Sequence, residues 1–311
     1  MSNPVVDISD AQKEFADLNQ ELQILHDRFL AIAMDYGHYI EYITKPGNRI
    51  YDLRDNVAYR LFSVNIHIEL LIRQHYYIRD RFEHIWKADP SKLLREVYPS
   101  NPIFDYAERE VSSIFDSIIY HLVSVFDYLA SLAYYTCRGN KQETLMWTSF
   151  ASSVRDKNND FSKSSFAEVI SEIDNNFVKK LYDHRSDLIH RNGELNRTNG
   201  QIPLDGGKFK IAYITTPRFN KRFPELKTES KEFQITVQYA SFWITRKAIK
   251  EITRVLLGLR KEMELTKKIP HGMTVLIDEV TGGILPMSGP MWHLDKYEKF
   301  SVNPVTRIEV V

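Results

Sequence analysis

Cysteine is nearly missing from this chain: its 311 residues include one, Cys137. That excludes an intrachain disulfide framework and a cysteine-based zinc site. Glycine and proline are scarce, at 12 each, which argues against a disordered or all-β chain. Net charge is lacking too, since 41 basic residues face 41 acidic ones. No global field draws the protein to nucleic acid or to an anionic membrane, and any such contact has to come from a local patch. The opening stretch "MSNPVVDISDAQKEF" is polar and acidic, unlike a signal peptide. No uninterrupted apolar run reaches the roughly 20 residues that span a bilayer. The expectation is a cytoplasmic protein without a membrane partner. H-E-x-x-H, Walker A, G-x-S-x-G and Rossmann glycine patterns are also absent, so no metal site and no cofactor are expected.

What the chain does have is helical periodicity. Phe15, Leu18, Leu22, Leu25, Phe29 and Ile32 recur at helical spacing after Asp10, a possible cap, and predict a helix over about 9–42. "TKPGNR" breaks it. A second helix over about 49–87 is rich in paired charges and ends at "ADPSK". The most apolar helix covers about 103–136, with Gly139 just beyond it as a left-handed stop. Helices follow over about 142–156, about 165–192 and about 241–267. Between the last two, "KFKIAYITT" and "KEFQITVQYA" alternate and are rich in β-branched and aromatic residues, which predicts two strands joined by a long basic loop.

The fold expected is therefore mainly α: a helical bundle of about six long helices with a small β-hairpin insertion and an extended C-terminal tail. Residues 1–98 form an N-terminal helical region packed on the core. Residues 99–268 form a helical domain with the hairpin at about 208–239, and 269–311 form the tail.

Two constellations point to chemistry. The first is "HRSDLIHRNG", residues 184–193, at the end of a helix. It places Arg185 and His190 five residues apart. Histidine titrates near neutral pH and can give or take a proton. Arginine offers a fixed cationic fork suited to a phosphate or to a transition state gaining negative charge. His190 falls in the last turn, where the carbonyl end of the helix favours the imidazolium. Five residues amount to about 140° of helix rotation, so the pair converges only if the arginine curls back or a second subunit completes the site. The same spacing occurs at Arg79–His84, where a solvated, highly charged helix face accounts for it.

The second constellation lies in "FDSIIYHLVSVFDYLASLAYY". Asp116, Tyr120, Ser124, Asp127 and Ser131 form a polar stripe on an otherwise apolar helix. Such a stripe meets water, lines a cleft or pairs across a dimer seam. A buried Asp127 needs a partner, and an arginine from the helix of Arg185 is the natural candidate.

The central "IIYHLVSVFDYLASLAYY" helix followed by a later helix ending "LYDHRSDLIHRNGE" resembles the HEPN superfamily over roughly residues 100–260. The resemblance implies a compact helical bundle carrying an R-x4–6-H motif on a late helix. It implies metal-independent RNA cleavage by a homodimer, of the kind found in toxin–antitoxin, abortive-infection and antiviral defence systems. Arg185 and His190 take the motif positions as catalytic residues. Ser186, Asp187, Asp127, Asp116 and Tyr120 are supporting polar groups. Where the family has Asn, Asp or His directly after the arginine, this chain has Ser186. RNA, tRNA among the possibilities, is the expected partner, with an antitoxin or defence protein as a further one. Arg191, Arg218, Lys221 and Arg222 are the expected RNA-binding cations, with Phe219 and Phe223 of "RFNKRFPELK" available to stack on bases. The alternative is a non-catalytic HEPN-fold RNA-binding or scaffold protein.

Overall fold

The computed structural model describes residues 8–40, 49–94, 102–138, 145–190, 195–201, 210–230, 234–266, 274–277 and 284–287. Long helices dominate them: α1 (Ile8–Tyr39), α2 (Arg49–Ala88), the short α3 (Ser91–Leu94) and α4 (Pro102–Arg138). After them come α5 (Trp147–Arg155), α6 (Ala167–Ile173) and α7 (Lys179–His190), the last two joined through a π-helical turn at Asp174–Val178. Strands β1 (Arg197–Gln201) and β2 (Lys210–Ile214) precede α8 (Pro217–Arg222), α9 (Pro224–Ser230) and α10 (Val237–Leu265). The chain is mainly α with a small hairpin, as its periodicity predicts. Of the tail, β3 (Thr274–Ile277) and β4 (Ile284–Met287) are described, as an antiparallel pair. The rest of it, "TRIEVV" included, lies outside the described residues.

The chain divides into two compact units. One comprises Met1–Asn19, Arg60–Ser124 and Asn175–Ala248; the other comprises Gln20–Tyr59, Val125–Asp174 and Ile249–Val311. The first buries Phe115, Ile118 and Leu122 of α4 with Phe177, Phe219 and Phe223. Phe219 lies 5.2 Å from Phe115 and 4.9 Å from Phe223, ring centre to ring centre. The second unit is built around Trp147, 5.2 Å from Phe126 and 6.0 Å from Phe150. By length and composition α4 could cross a membrane, but 61% of its most apolar window is buried inside the fold, as in the core helix of a bundle.

Local chemistry explains where the elements differ from the sequence expectation. Helix α5 starts at Trp147, not near 142, because α4 holds its start. The Asp127 carboxylate accepts the Trp147 backbone N–H at 2.9 Å, and the Ser131 hydroxyl accepts the Leu145 N–H at 3.1 Å. The first satisfies a backbone donor that a helix start leaves orphaned, and the second fixes the chain just before the cap. The hairpin also differs. The turn-like "NRTNGQ" forms β1, which pairs antiparallel with β2 from Arg197↔Ile214 to Gln201↔Lys210. "TVQYA" is the start of α10, not a strand. The Thr236 hydroxyl accepts the Tyr239 N–H at 3.2 Å, which makes it an N-cap. Nor is the segment between them a loop. Thr216 accepts the Phe219 N–H and Pro217 opens α8, a cap and first-turn proline that pre-form a helix.

Gly258 in α10 has a packing reason. A Cβ there would stand 2.8 Å from the Phe166 Cβ. Alanine would gain about 1 kcal/mol of helix propensity, but its methyl would press on the Cβ of Phe166, a fully buried residue. Gly258→Ala is expected to destabilise the protein by about 1–2 kcal/mol net, read as a lower melting temperature by circular dichroism. An unchanged or higher value would mean that Phe166 yields freely.

Candidate functional site

Helix α7 carries the motif. Its apolar face follows Leu181, His184 and Leu188 at helical spacing; Leu181 and His184 are buried. That face turns His184 inward, 5.1 Å from the Phe219 ring and 6.5 Å from Phe223. Phe219 and Phe223 are themselves 1% exposed, so they are packing residues and not a platform for bases. The reason lies in the same helix start at Thr216–Pro217: the folded segment turns its rings inward.

Arg185, the next residue on α7, is partly buried, and its Nε has no hydrogen-bond partner among the described residues. It lies close enough to Tyr120 of α4 to favour the phenolate electrostatically. Burial, and then the neighbouring Asp116, outweigh it and raise the Tyr120 pKa. Asp116 is half-buried, and burial pushes its carboxyl up to about 6. Tyr120, on the polar stripe of α4, is thus the residue on which the charges of Asp116 and of Arg185 from α7 both act. His190 is the last residue of α7 and is exposed, as is Ser186. Arg191 lies outside the described residues.

The remaining expected site residues have other attachments. Asp127 belongs to the other unit, and its Oδ1 holds the start of α5. That bond corrects the expectation that an arginine of α7 would be its natural partner, since a backbone donor answers for its polarity. Asp187 accepts a 2.7 Å hydrogen bond from Arg222 of α8, which also lies 3.8 Å from Asp183. Arg222 therefore ties α8 to α7, and its charge is balanced there. That corrects its reading as a cation open to RNA. Arg218 is half-buried beside His184, while Lys221 is exposed. The second R-x4-H spacing shows a plain helix surface: Arg79 binds its neighbour Asp80 at 2.6 Å and lies over the Tyr76 ring. Among the described residues no group of three or more His, Cys, Asp and Glu side chains is placed to hold a metal ion.

His184 was the residue whose role the sequence reading missed, although its place between Leu181 and Leu188 on one helix face marks it as inward. Burial lowers its pKa to about 4, with Arg222 adding to the effect. Between that value and the ordinary 6.5, the folded chain binds fewer protons than the unfolded chain at this site. The neutral ring therefore contributes stability above pH 6.5 that is lost as pH falls towards 4, on a scale of up to about 3 kcal/mol. A His184→Phe variant lacks that titration. Its melting temperature relative to wild type should climb as pH is lowered from 6.5 to 4, whereas a difference constant across that window would contradict the assignment.

What these groups can do chemically is limited but specific. A partly buried guanidinium can hold a phosphate oxygen through the part of its fork that solvent reaches; the Nε of Arg185 is closed to solvent. An exposed imidazole at the carbonyl end of the same helix can exchange protons with a bound substrate. Comparison of the chain with protein-family models, with curated proteins and with solved structures finds no match.

Proposed function

We propose that this protein is a HEPN-like, metal-independent endoribonuclease of the cytoplasm, working as a homodimer in a toxin or phage-defence setting. The observation that carries the reading is Arg185: a partly buried guanidinium whose charge acts on Tyr120, five residues before an exposed His190. Arg185 binds the scissile phosphate and stabilises the charge of the phosphorane. His190 handles the protons. The ribose 2′-oxygen attacks phosphorus as its proton passes to a base, and the 5′-oxygen leaves as it takes a proton from an acid. The products are a 2′,3′-cyclic phosphate and a 5′-hydroxyl. Metal independence and dimeric action come from the resemblance to the family. Lys221, Arg218 and Arg191 are the cations that would guide RNA, tRNA among its possible forms; an antitoxin or defence protein is a further partner of this reading.

The test is cleavage of total tRNA and of a mixed-sequence RNA in excess chelator by wild type and His190→Ala. Discrete cutting by wild type alone is the expected result, and no cutting by either, or equal cutting by both, overturns the reading. One observation favours a non-catalytic scaffold instead: Arg222, expected to face RNA, is bound to Asp187. A protein of that kind would hold a protein partner and yield no RNA products.

A further inference from the structure

Within the compact unit that holds Arg60–Ser124, α2 meets α4 along a polar row. Arg60, His67 and Gln74 follow one another at intervals of seven residues, on one face of α2. At one end of the row Gln74 donates to the Glu110 carboxylate of α4 at 2.7 Å. At the other end Arg60 and His67 meet His121, eleven residues or about 16 Å along α4 from Glu110. The His67 and His121 rings stand 4.9 Å apart, centre to centre, tilted by 48°. Arg60 donates to His121 Nδ1 at 3.4 Å. All three side chains are partly exposed.

Three basic groups from two helices thus converge at one partly exposed place. Burial, then His67 and then Arg60, hold the His121 imidazole below its ordinary pKa. The bonds set the tautomers. His67 donates through Nδ1 to the Ser63 carbonyl at 2.7 Å, which leaves its Nε2 able to take a proton. His121 accepts from Arg60 at Nδ1, so its Nε2 carries the hydrogen. Glu69, two residues on from His67, stands about 200° round the helix and is taken by Arg73. On α4, Asp116 and Arg185 both act on Tyr120. A metal cation placed in the cluster would be repelled by the Arg60 guanidinium. An anion answers all three groups: it gives the guanidinium an acceptor and favours the protonated form of the imidazoles.

We propose that Arg60, His67 and His121 form a phosphate-binding site, in which the imidazole pair takes up a proton as the ligand binds. Arg60 supplies a planar fork matched to phosphate oxygens, and the pair supplies charge-assisted N–H donors. Partial exposure of all three lets the rest of a ligand stay in solvent, so the phosphate is one carried by a larger molecule: the end of a nucleotide or a link of an RNA strand. Tyr120, next to His121 in the chain, is under the influence of Arg185. A strand with its scissile phosphate on Arg185 would offer this site a neighbouring one. That choice of RNA rests on the ribonuclease reading; the site itself does not. A phosphodiester keeps its own charge near neutral pH, so its affinity should fall as pH rises from about 6.5, where the free pair has lost its proton.

The test is proton NMR of the histidine Cε1–H signals of the full chain, assigned with His67→Gln and His121→Gln. Inorganic phosphate, added near neutral pH at constant ionic strength, should move the His67 and His121 signals saturably towards their protonated positions, and chloride should not. Arg60→Gln should weaken that response at least about 10-fold. Two probes then identify the source of the phosphate: adenosine 5′-monophosphate and a 2′-O-methyl RNA that cannot be cut through its 2′-oxygen. The RNA is expected to displace phosphate, more weakly as pH rises and at least about 10-fold more weakly in Arg60→Gln. Displacement by the mononucleotide alone would uphold the site and overturn its assignment to RNA. Two histidines indifferent to phosphate, or a response unchanged in Arg60→Gln, would overturn the site. Circular dichroism checks that the variants fold, and the wild-type signals decide the matter even where a variant does not. His190 reports on the candidate catalytic site in the same spectra, and no cleavage is read, so a failure here is distinct from a failure of the ribonuclease reading.

Discussion

Replacing Arg185 with alanine should reduce RNA cleavage by at least about 100-fold, the scale expected when a donor aimed at developing oxyanion charge is lost. The fold should survive. Arg185 has no ion pair or hydrogen bond to lose through Nε, and what it adds is a cation beside Tyr120. Removing it takes away a cation that favours Tyr120 ionisation, so the phenol, already raised by burial and Asp116, should rise further. The Tyr120 pKa therefore reports on Arg185 independently of activity, by difference absorbance at alkaline pH. Arg185→Lys should recover only part of the rate, because an ammonium keeps the charge but not the planar fork. A variant that cuts as well as wild type would remove Arg185 from the chemistry.

The largest loss of stability is expected from Trp147→Ala, about 3–5 kcal/mol. Trp147 is fully buried, stacks edge-on against Phe126 and Phe150, and donates its indole N–H to Asp174 Oδ1 at 2.9 Å. Alanine leaves a cavity and strands one oxygen of a buried carboxylate, whose other oxygen is held by Arg155 at 2.6 Å. Trp147→Phe separates the two effects. It keeps most of the ring volume and removes only the donor, at about 1–3 kcal/mol. Urea melts followed by circular dichroism would measure both. Equal losses in the two variants would show that the hydrogen bond, rather than packing, dominates this core.

Which features were legible in the sequence follows from where their causes lie. Helix α4 and its buried stripe of Phe115, Ile118, Leu122 and Phe126 could be read from spacing alone, because the cause is local periodicity. The cap at Thr216–Pro217 is equally local, although the basic, proline-containing stretch around it has the composition of a loop. The start of α5 was not readable. It depends on Asp127 and Ser131, which lie 20 and 14 residues before their backbone partners. Strand β1 was hidden for a similar reason: "NRTNGQ" has turn composition, and β2 together with the Glu108 carboxylate, which accepts the Thr198 N–H at 2.7 Å, holds it extended. "QITV" misled in the other direction, since its β-branched run reads as a strand until Thr236 is recognised as a cap.

The candidate site divides along the same line. Arg185 and His190 were found from residue type and spacing on one helix. The action of Arg185 on Tyr120 required α7 to come near the stripe of α4, which the apolar character of α4 foreshadowed. The engagement of Arg222 with Asp187 required α8 to dock on α7, and no local pattern encodes that contact.

The central claim is that Arg185 and His190 direct attack of a ribose 2′-hydroxyl on its own phosphodiester. Its most direct test is the chemistry of the new ends. RNA should be incubated with wild type in excess chelator beside the same RNA carrying 2′-O-methyl groups, and the ends analysed by mass spectrometry. The account predicts 2′,3′-cyclic phosphate and 5′-hydroxyl ends from the unmodified RNA, and no cutting of the methylated one. Products with 3′-hydroxyl ends, cutting of the methylated RNA, or no cutting of either would contradict it.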